Sequence, residues 1–488
     1  MWGRFRRQTI IAATIPLLAA CGTDSKPLGV VGHVTQSFGG AVADEPAAAL
    51  VARDTLSAGG NAADAAVALY FALSATYPVA AGIGGGGVCV VYRAAVNENA
   101  TIDFRARGTA AGTGFDIAPP GNVRGMAALH ARFGRLPWPQ LVQPGERLAR
   151  FGNRISRALA RAIAANAERL RRDERARALF FRPDGTPLRE GDRLEQVELA
   201  TVLGQLRFKG AGALHSGSLA RRYADAARAI GGRLSPQALR DWTPSLGKPV
   251  QFSLGDHTLN TAPSASAAPL LRSLFAEGAY RNVPGDAKAA AIAMAALSVG
   301  GNAPGADGAA PDKSGTTGFA VTDRAGGVVA CSLSMNGPFG TGRMLPGTGV
   351  FAVAAASDAA NDGASVAIVN NENTGNTFFA AAASGGPASA AALARVAGSV
   401  LLDGSPLAAA LAQRRLAPDP RSRTVYAEAG SAESAVAPLR GRGLRIVTGG
   451  PLGRVNAIHC PRGNVRDQET CRYGVDPRGF GHAVNAGQ

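Results

Sequence analysis

The sequence has few of the residues and motifs on which most enzyme classes depend. Its six histidines are scattered along 488 residues, so neither a metal site nor a serine-histidine-aspartate triad can be assembled from local spacing. The patterns G-x-x-x-x-G-K-[ST], G-x-S-x-G and H-E-x-x-H are missing, which argues against a phosphate-binding loop, a serine nucleophile elbow and a zinc protease. Gly82, Gly84 and Gly87 match G-x-G-x-x-G, but they precede a predicted strand rather than following one, so no dinucleotide site is expected. No cofactor and no metal are therefore expected.

Long apolar runs are also scarce. The run at residues 9–20 is too short to span a bilayer and follows a start with three arginines, which is typical of a signal peptide over 1–20. It ends in Leu18-Ala19-Ala20-Cys21, which resembles the lipobox of bacterial lipoproteins; a plain secretory signal is the alternative. We therefore expect an exported protein, lipid-anchored through Cys21 at the periplasmic face of the bacterial envelope. Gly22 is typical of sorting to the outer membrane.

Acidic residues are outnumbered, because 51 lysines and arginines face 35 aspartates and glutamates, for a formal net charge of +16. The signal segment holds three arginines and no acid, so the mature chain remains strongly basic. Binding to nucleic acid is one interpretation, but an exported protein rarely meets any. A solvated basic face beside anionic membrane or wall polymers is preferred, and no nucleic-acid partner is expected.

Cysteine is rare, with five residues including Cys21. Cys460 and Cys471 lie close together in a polar, loop-like tail of an exported protein, so a disulfide between them is predicted. Cys89 and Cys331 stand in apolar, strand-like runs and are predicted to be buried thiols.

Helical and strand-like periodicities follow one another along the chain. Helices are predicted over 45–57, over 61–75 with Asn61 as N-cap, and over most of 121–243, and strands over 88–92 and 101–105. Residues 300–315 are rich in glycine, alanine and proline and have no periodicity, so they are predicted to be a flexible linker.

Beyond this linker the apolar period changes to two. Residues 316–322 and 328–334 are predicted to pair as a hairpin, which puts Thr316 directly opposite Ser334. Asn336 follows on the same face of the second strand. A polar face that carries these three side chains beside an apolar face indicates a site on a core sheet.

Four separated stretches, in order and with kept spacing, resemble the gamma-glutamyltransferase family. They are Gly59-Gly60-Asn61-Ala62-Ala63-Asp64-Ala65-Ala66 with Gly82 to Gly87 and Asp103-Phe104-Arg105; the helical segments that include 133–152 and 231–242; Thr316-Thr317, Ser334-Met335-Asn336, Phe339-Gly340-Thr341-Gly342 and Pro346-Gly347-Thr348-Gly349; and Gly385-Gly386 with Asp476-Pro477-Arg478-Gly479. Each motif alone is weak, whereas the ordered set is specific.

The resemblance implies an N-terminal-nucleophile hydrolase of the α+β class, built as a four-layer αββα sandwich. It also implies that the precursor cuts itself between Gly315 and Thr316. The fragments 21–315 and 316–488 would then form a heterodimer and together one folded domain. Elementary chemistry supports this arrangement, because a threonine hydroxyl is a poor nucleophile without an adjacent base, and the freed α-amino group of the same residue supplies one.

Catalytic roles follow from the same resemblance. Thr316 is the nucleophile and, through its amine, the base. Ser334 stands where the family has a threonine and would orient the Thr316 hydroxyl. Gly385 and Gly386 match the oxyanion-hole pair and precede a predicted helix that begins at Pro387, where amide donors and the helix dipole favour a developing negative charge.

Roles in substrate binding are also implied. Arg105 matches the arginine that pairs with the α-carboxylate of the donor, a bidentate contact suited to guanidinium; a structural ion pair with Asp103 is the alternative. Asn336 matches the asparagine that contacts the α-amino and carboxylate end of the donor. Asp358 matches the acidic residue that binds the donor amine.

The sequence departs from the family around this donor pocket. The Gln or Glu partner of Asp358 is replaced by Ala355, and the loop that follows is shortened before Ser365. The expected function is a gamma-glutamyl hydrolase or transferase that cleaves glutathione-like gamma-glutamyl amides. One alternative is an acylase of the same fold with a different donor, resembling glutaryl-cephalosporin acylases. Another is a lipoprotein without catalysis that serves as a binding module.

Overall fold

The computed structural model describes residue 2 and residues 37–108, 115–281, 283–299, 314–355, 363–419 and 422–487. From residue 36 onward the chain forms one folded unit. Cys21, Asp358 and most of the predicted linker, 300–313, lie outside the described residues, so the predictions made for them remain predictions.

Strands form where small and β-branched apolar residues recur with a period of two. In chain order they are β1 Gly39–Ala43, β2 Gly86–Arg93, β3 Glu98–Asp103, β4 Phe115–Asp116, β5 Asn153–Arg154, β6 Arg193–Leu194, β7 Gly232–Arg233, β8 Ser245–Gly247, β9 Val250–Leu254, β10 His257–Thr261, β11 Thr316–Asp323, β12 Val328–Ser334, β13 Met344–Leu345, β14 Val350–Phe351, β15 Ser365–Asn371, β16 Asn376–Ser384, β17 Leu416–Asp419, β18 Thr424–Glu428, β19 Arg445–Gly449, β20 Arg454–His459, β21 Arg472–Gly474 and β22 His482–Ala486.

Helices occupy the alanine-rich and arginine-rich segments. They are α1 Pro46–Ser57, α2 Ala62–Thr76, α3 Pro78–Ala81, α4 Gly121–Phe133, α5 Trp138–Arg150, α6 Arg157–Ala165, α7 Ala167–Arg171, α8 Glu174–Phe180, α9 Val197–Lys209, α10 Gly217–Ala229, α11 Pro236–Asp241, α12 Ala268–Leu271, α13 Ala287–Ser298, α14 Ser389–Leu401, α15 Leu407–Ala412 and α16 Glu433–Arg440. Asn61 caps α2 as predicted, accepting from the amide of Asp64 while the Asp64 carboxylate accepts from Asn61. Among the described helices, none is long and apolar enough to cross a bilayer.

Two antiparallel sheets form the centre of the fold. The first has the strand order β22-β1-β11-β12-β2-β3-β8, and the second has the order β21-β20-β16-β15-β10-β9. One apolar cluster lies between the sheets and includes Val90, Ala330 and Ile368. A second cluster joins the outer face of the first sheet to helices such as α2, and a third joins the second sheet to α14. The predicted four-layer αββα sandwich is therefore confirmed.

The two sheets approach closely near the start of β11, and small residues make this approach possible. A Cβ placed on Gly318 would lie 2.8 Å from the Cβ of Ala382 on β16. Glycine at this position therefore lets the strands of the two sheets pack closely. The consequence is that the start of β11 lies next to the end of β16.

The cysteines confirm one prediction and correct another. Cys460 and Cys471 form the predicted disulfide. Cys89 and Cys331, predicted to be buried thiols, are instead disulfide-bonded to each other. They are directly opposite on the neighbouring strands β2 and β12, which brings their side chains together on one face of the sheet. The prediction was wrong because the pairing of two strands far apart in sequence could not be read from either strand alone.

Candidate active site

Thr316 begins β11, an inner strand between β1 and β12 of the first sheet. Its side chain is buried, with the residue 2% exposed. Thr316 pairs with Ser334 in the antiparallel register, as the hairpin pattern predicted. The predicted nucleophile is therefore at the end of a strand that is fixed on both sides.

The predicted oxyanion pair lies at the turn between β16 and α14. Gly385 and Gly386 have φ angles of +107° and +57°, a conformation that favours glycine. A Cβ on Gly385 would also lie 2.5 Å from the Cα of Gly453. The turn directs both amide N–H groups to Oγ1 of Thr316, to which they donate at 2.9 and 3.3 Å respectively. The structure thus brings the predicted nucleophile and the predicted amide donors together.

The peptide bond between Gly315 and Thr316 is flanked by hydrogen bonds on both sides. The carbonyl oxygen of Gly315 accepts from the amide of Met335 at 2.9 Å. Oγ of Ser314 lies 2.9 Å from Oγ1 of Thr316. Gly315 has φ of +64°, and a Cβ there would lie 2.1 Å from the carbonyl carbon of Gly337, so a side chain at this position would be excluded.

Ser334 and Asn336 lie beside the nucleophile, but their bonds differ from those predicted. In the uncut chain the Ser334 hydroxyl accepts from the amide of Asn336 at 3.0 Å, and the Thr316 hydroxyl is bonded to Ser314 and the glycine amides instead. Nδ2 of Asn336 donates to the carbonyl oxygens of Ala106 and Ala354, both at 3.0 Å. Both amide hydrogens of this side chain are therefore used within the protein.

Arg105 forms the ion pair that was the alternative to a substrate contact. Its guanidinium donates to both carboxylate oxygens of Asp103, at 3.1 and 2.8 Å, and to the carbonyl oxygen of Ser264 at 3.1 Å. Arg105 is 6% exposed. Burial acts to raise the pKa of Asp103, but the hydrogen bonds and charge of Arg105 outweigh it, so this pKa lies below its usual value. Arg107, which sequence reasoning missed, also pairs with Asp103, and its side chain is 45% exposed.

The family model described as gamma-glutamyltranspeptidase matches residues 48–276. Over these residues the chain is similar to this family. The match covers α1, α2 and the glycine-rich segment before β2, which are the elements that carried the resemblance in the first half of the sequence.

The curated relatives include glutathione hydrolases and acylases. The glutathione hydrolase proenzyme of Bacillus subtilis (strain 168) is 31% identical over 279 residues, which cover 53% of this chain and 47% of that protein. The acylase ACY 1 proenzyme of Pseudomonas sp. (strain V22) is 29% identical over 417 residues, which cover 69% of this chain and 71% of that protein. The chain thus spans about half the length of the glutathione hydrolases it matches.

Solved structures with the same fold include a cephalosporin acylase from Bacillus halodurans, with a TM-score of 0.76 and 20% identity over 92% of this chain and 96% of that one. A gamma-glutamyltranspeptidase from Helicobacter pylori has a TM-score of 0.50 and 27% identity over 54% of this chain and 82% of that one. Both are N-terminal-nucleophile hydrolases. At 20% identity, the likeness to the cephalosporin acylase shows the fold alone.

Sequence reasoning missed a buried carboxylate next to this family site. Asp44, which follows β1 and is 2% exposed, accepts from the hydroxyls of Thr317 at 2.8 Å and Ser384 at 3.2 Å. It also accepts from Nδ2 of Asn456 at 2.9 Å and lies 3.7 Å from the guanidinium of Arg454.

This carboxylate therefore links Thr317, the residue after the predicted nucleophile, to Ser384, the residue before the glycine turn. The only sequence signal was a charged residue between an apolar strand and the Glu45 cap of α1. That signal is typical of a surface loop as well, so it could not identify a buried position.

Proposed function

We propose that the chain is a self-cleaving amide hydrolase that uses Thr316 as an N-terminal nucleophile. The observation that carries the proposal is the convergence of the Gly385 and Gly386 amides on the Thr316 hydroxyl, at 2.9 and 3.3 Å. Acyl transfer requires stabilisation of the negative charge that forms on the substrate carbonyl oxygen. Two backbone N–H donors beside a buried hydroxyl can stabilise this charge, because the site has a low dielectric.

The mechanism follows from these positions. Cleavage before Thr316 frees its α-amino group, which then removes the proton of the hydroxyl as the oxygen attacks the carbonyl carbon of an amide substrate. The Gly385 and Gly386 amides, which donate to the hydroxyl in the uncut chain, then donate to the substrate carbonyl oxygen as negative charge develops on it. An acyl-threonine forms, the amine leaves, and water or an amino acceptor then takes the acyl group.

A gamma-glutamyl amide, such as glutathione, is the first candidate donor. Its support is the match to the family model over residues 48–276 and the glutathione hydrolase proenzyme among the relatives. Arg105, Asn336 and Asp358 would bind the glutamyl end, as in the family.

A different acyl group is the second candidate, and the donor-pocket geometry favours it. The Arg105 guanidinium is bonded to Asp103, and both amide hydrogens of Asn336 are bonded to backbone carbonyls. A donor without an α-amino acid end does not need these contacts. The match to an acylase proenzyme also extends over 417 residues, against 279 for the glutathione hydrolase.

Two measurements test the proposal. Purified protein is analysed on a reducing denaturing gel with N-terminal sequencing, and a fragment that begins at Thr316 is expected from the wild type but not from Thr316→Ala. The cleaved protein is then given gamma-glutamyl and glutaryl p-nitroanilides, and the ratio of kcat/KM identifies the preferred acyl group. Thr316→Ser, which keeps a hydroxyl and an α-amine, is the matched control and should cleave itself. An intact wild type after prolonged incubation, inactive on both anilides, would refute the proposal and favour a binding module.

A further inference from the structure

The Ser314 hydroxyl lies between the two atoms of Thr316 that self-cleavage must change. Its Oγ is 2.9 Å from Oγ1 of Thr316, the attacking atom. It also accepts from the backbone N–H of Thr316 at 3.4 Å, and this nitrogen is the leaving atom. One hydroxyl therefore reaches both ends of the proton transfer that the reaction requires.

Self-cleavage needs this transfer before the usual base exists. In the uncut chain the α-nitrogen of Thr316 is part of a peptide bond and cannot accept a proton from the hydroxyl. The nearby buried carboxylate, Asp44, is bonded to Thr317, whose side chain points to the opposite face of the strand from that of Thr316.

The hydrogen bonds fix the direction of the first proton. A hydroxyl has one hydrogen and two lone pairs. Both lone pairs of Thr316 Oγ1 are taken by the N–H groups of Gly385 and Gly386. The remaining bond, to Ser314, must therefore use the hydrogen of Thr316, so Ser314 Oγ is the acceptor.

The Gly315 carbonyl group, which is to be attacked, is also polarised by a hydrogen bond. The oxygen of Gly315 accepts from the Met335 amide at 2.9 Å, which stabilises the negative charge that forms on this oxygen during attack. The glycine at 315 is needed for the same geometry, because its φ of +64° and its contact with Gly337 allow the chain to fold Ser314 back onto Thr316.

We propose that Ser314 is the proton shuttle of self-cleavage, an inference that rests on the proposed function. Oγ1 of Thr316 attacks the carbonyl carbon of Gly315 while its proton passes to Oγ of Ser314. The nitrogen of Thr316 loses its amide conjugation in the tetrahedral intermediate and becomes basic. Ser314 then gives its own proton to this nitrogen, the C–N bond breaks with its electron pair on nitrogen, and an ester to Oγ1 remains.

The acyl shift neither takes up nor releases a proton. One proton leaves Oγ1 and one arrives at the nitrogen, so the shift from amide to ester needs no outside base. Water then hydrolyses the ester, which leaves a carboxylate at Gly315 and the free amine and hydroxyl of Thr316.

The test is the rate of self-cleavage of the full chain, refolded from denaturant at pH 5 to 9 and followed on reducing denaturing gels. A positioned proton-transfer group typically contributes about 10²–10⁴-fold, so Ser314→Ala is expected to slow cleavage by about that factor. Its residual rate should rise with pH, because hydroxide then replaces the shuttle. Ser314→Thr keeps the hydroxyl and should cleave within about tenfold of the wild type. The melting temperatures of Ser314→Ala/Thr316→Ala and Thr316→Ala should agree, which separates chemistry from folding.

The outcomes separate this inference from the proposed function. A wild type that never cleaves refutes the proposed function itself. A wild type that cleaves, together with Ser314→Ala that cleaves at the same rate, overturns the shuttle alone. A slow Ser314→Ala with the pH profile of the wild type, or a Ser314→Thr as slow as the alanine variant, also overturns it, because the hydroxyl would then act only by packing.

Discussion

Replacing Asp44 by alanine removes the carboxylate that joins the nucleophile strand to the oxyanion turn. This carboxylate is 2% exposed and accepts from the Thr317 hydroxyl at 2.8 Å and from Asn456 at 2.9 Å. It lies 3.7 Å from the guanidinium of Arg454, whose side chain is also 2% exposed. The substitution therefore changes a buried ion pair and its hydrogen bonds together.

The expected loss of stability follows from the burial of both charges. Removing one partner of a buried ion pair typically costs about 3–5 kcal/mol, because the other charge stays buried without it. We expect Asp44→Ala to lower the free energy of unfolding by about 4 kcal/mol. Asp44→Asn keeps the volume and one acceptor oxygen, so its loss should be nearer to about 2 kcal/mol. Asp44→Ala combined with Arg454→Met should recover part of the loss, because the buried charge is gone.

Urea unfolding followed by circular dichroism measures these values, in a Thr316→Ala background so that the chain stays whole. Asp54→Ala is the matched control, since Asp54 pairs with Arg53 on the surface and its side chain is 66% exposed. Its effect should stay within about 0.5 kcal/mol. A loss below about 1 kcal/mol for Asp44→Ala, or a double variant as unstable as the sum of its single changes, would refute the reasoning.

Two further predictions concern the disulfide and the donor pocket. After self-cleavage Cys89 lies in the large fragment and Cys331 in the small one, so the cleaved protein should run as one band without reductant and as two with it. Two bands without reductant would show that this disulfide does not form. Arg105→Ala should impair folding and self-cleavage and also raise KM, because it removes the buried guanidinium that pairs with Asp103, whose side chain is 15% exposed; a rise in KM alone would restore the substrate-binding role. Since the pKa of Asp103 is lowered, the pair stabilises the wild type above the unfolded pKa of about 4, and this stabilisation is lost as the pH falls through the lowered folded pKa. In Arg105→Ala the folded pKa of Asp103 is less lowered, so the acid loss should be smaller and complete at a higher pH, as measured by urea unfolding at pH 3 to 6.

Local patterns were sufficient to predict the two strands that carry Thr316 and Ser334. The hairpin of β11 and β12, its register at Thr316 and Ser334, and the cap at Asn61 all depend on residues close together in the sequence. The period of two and the choice of capping residue are local properties, so they can be read without knowing the fold.

The donor pocket could not be predicted in the same way. The family role of Arg105 concerned a ligand, whereas the bonds that Arg105 makes here depend on the position of Asp103 and of the carbonyl group of Ser264. Asn336 likewise bonds carbonyl groups of Ala106 and Ala354, which come from separate parts of the chain.

The sequence by itself therefore predicted the fold class, the resemblance to gamma-glutamyltransferases, the strand that Thr316 begins and the glycine pair at the end of β16. Only the tertiary structure decided that Cys89 and Cys331 are bonded, that Asp44 is buried against Arg454, and that the glycine amides meet the Thr316 hydroxyl. The physical reason is that periodicity and capping act within a few residues, whereas disulfides, buried charges and catalytic contacts join residues that only the packing of two sheets brings within bonding distance.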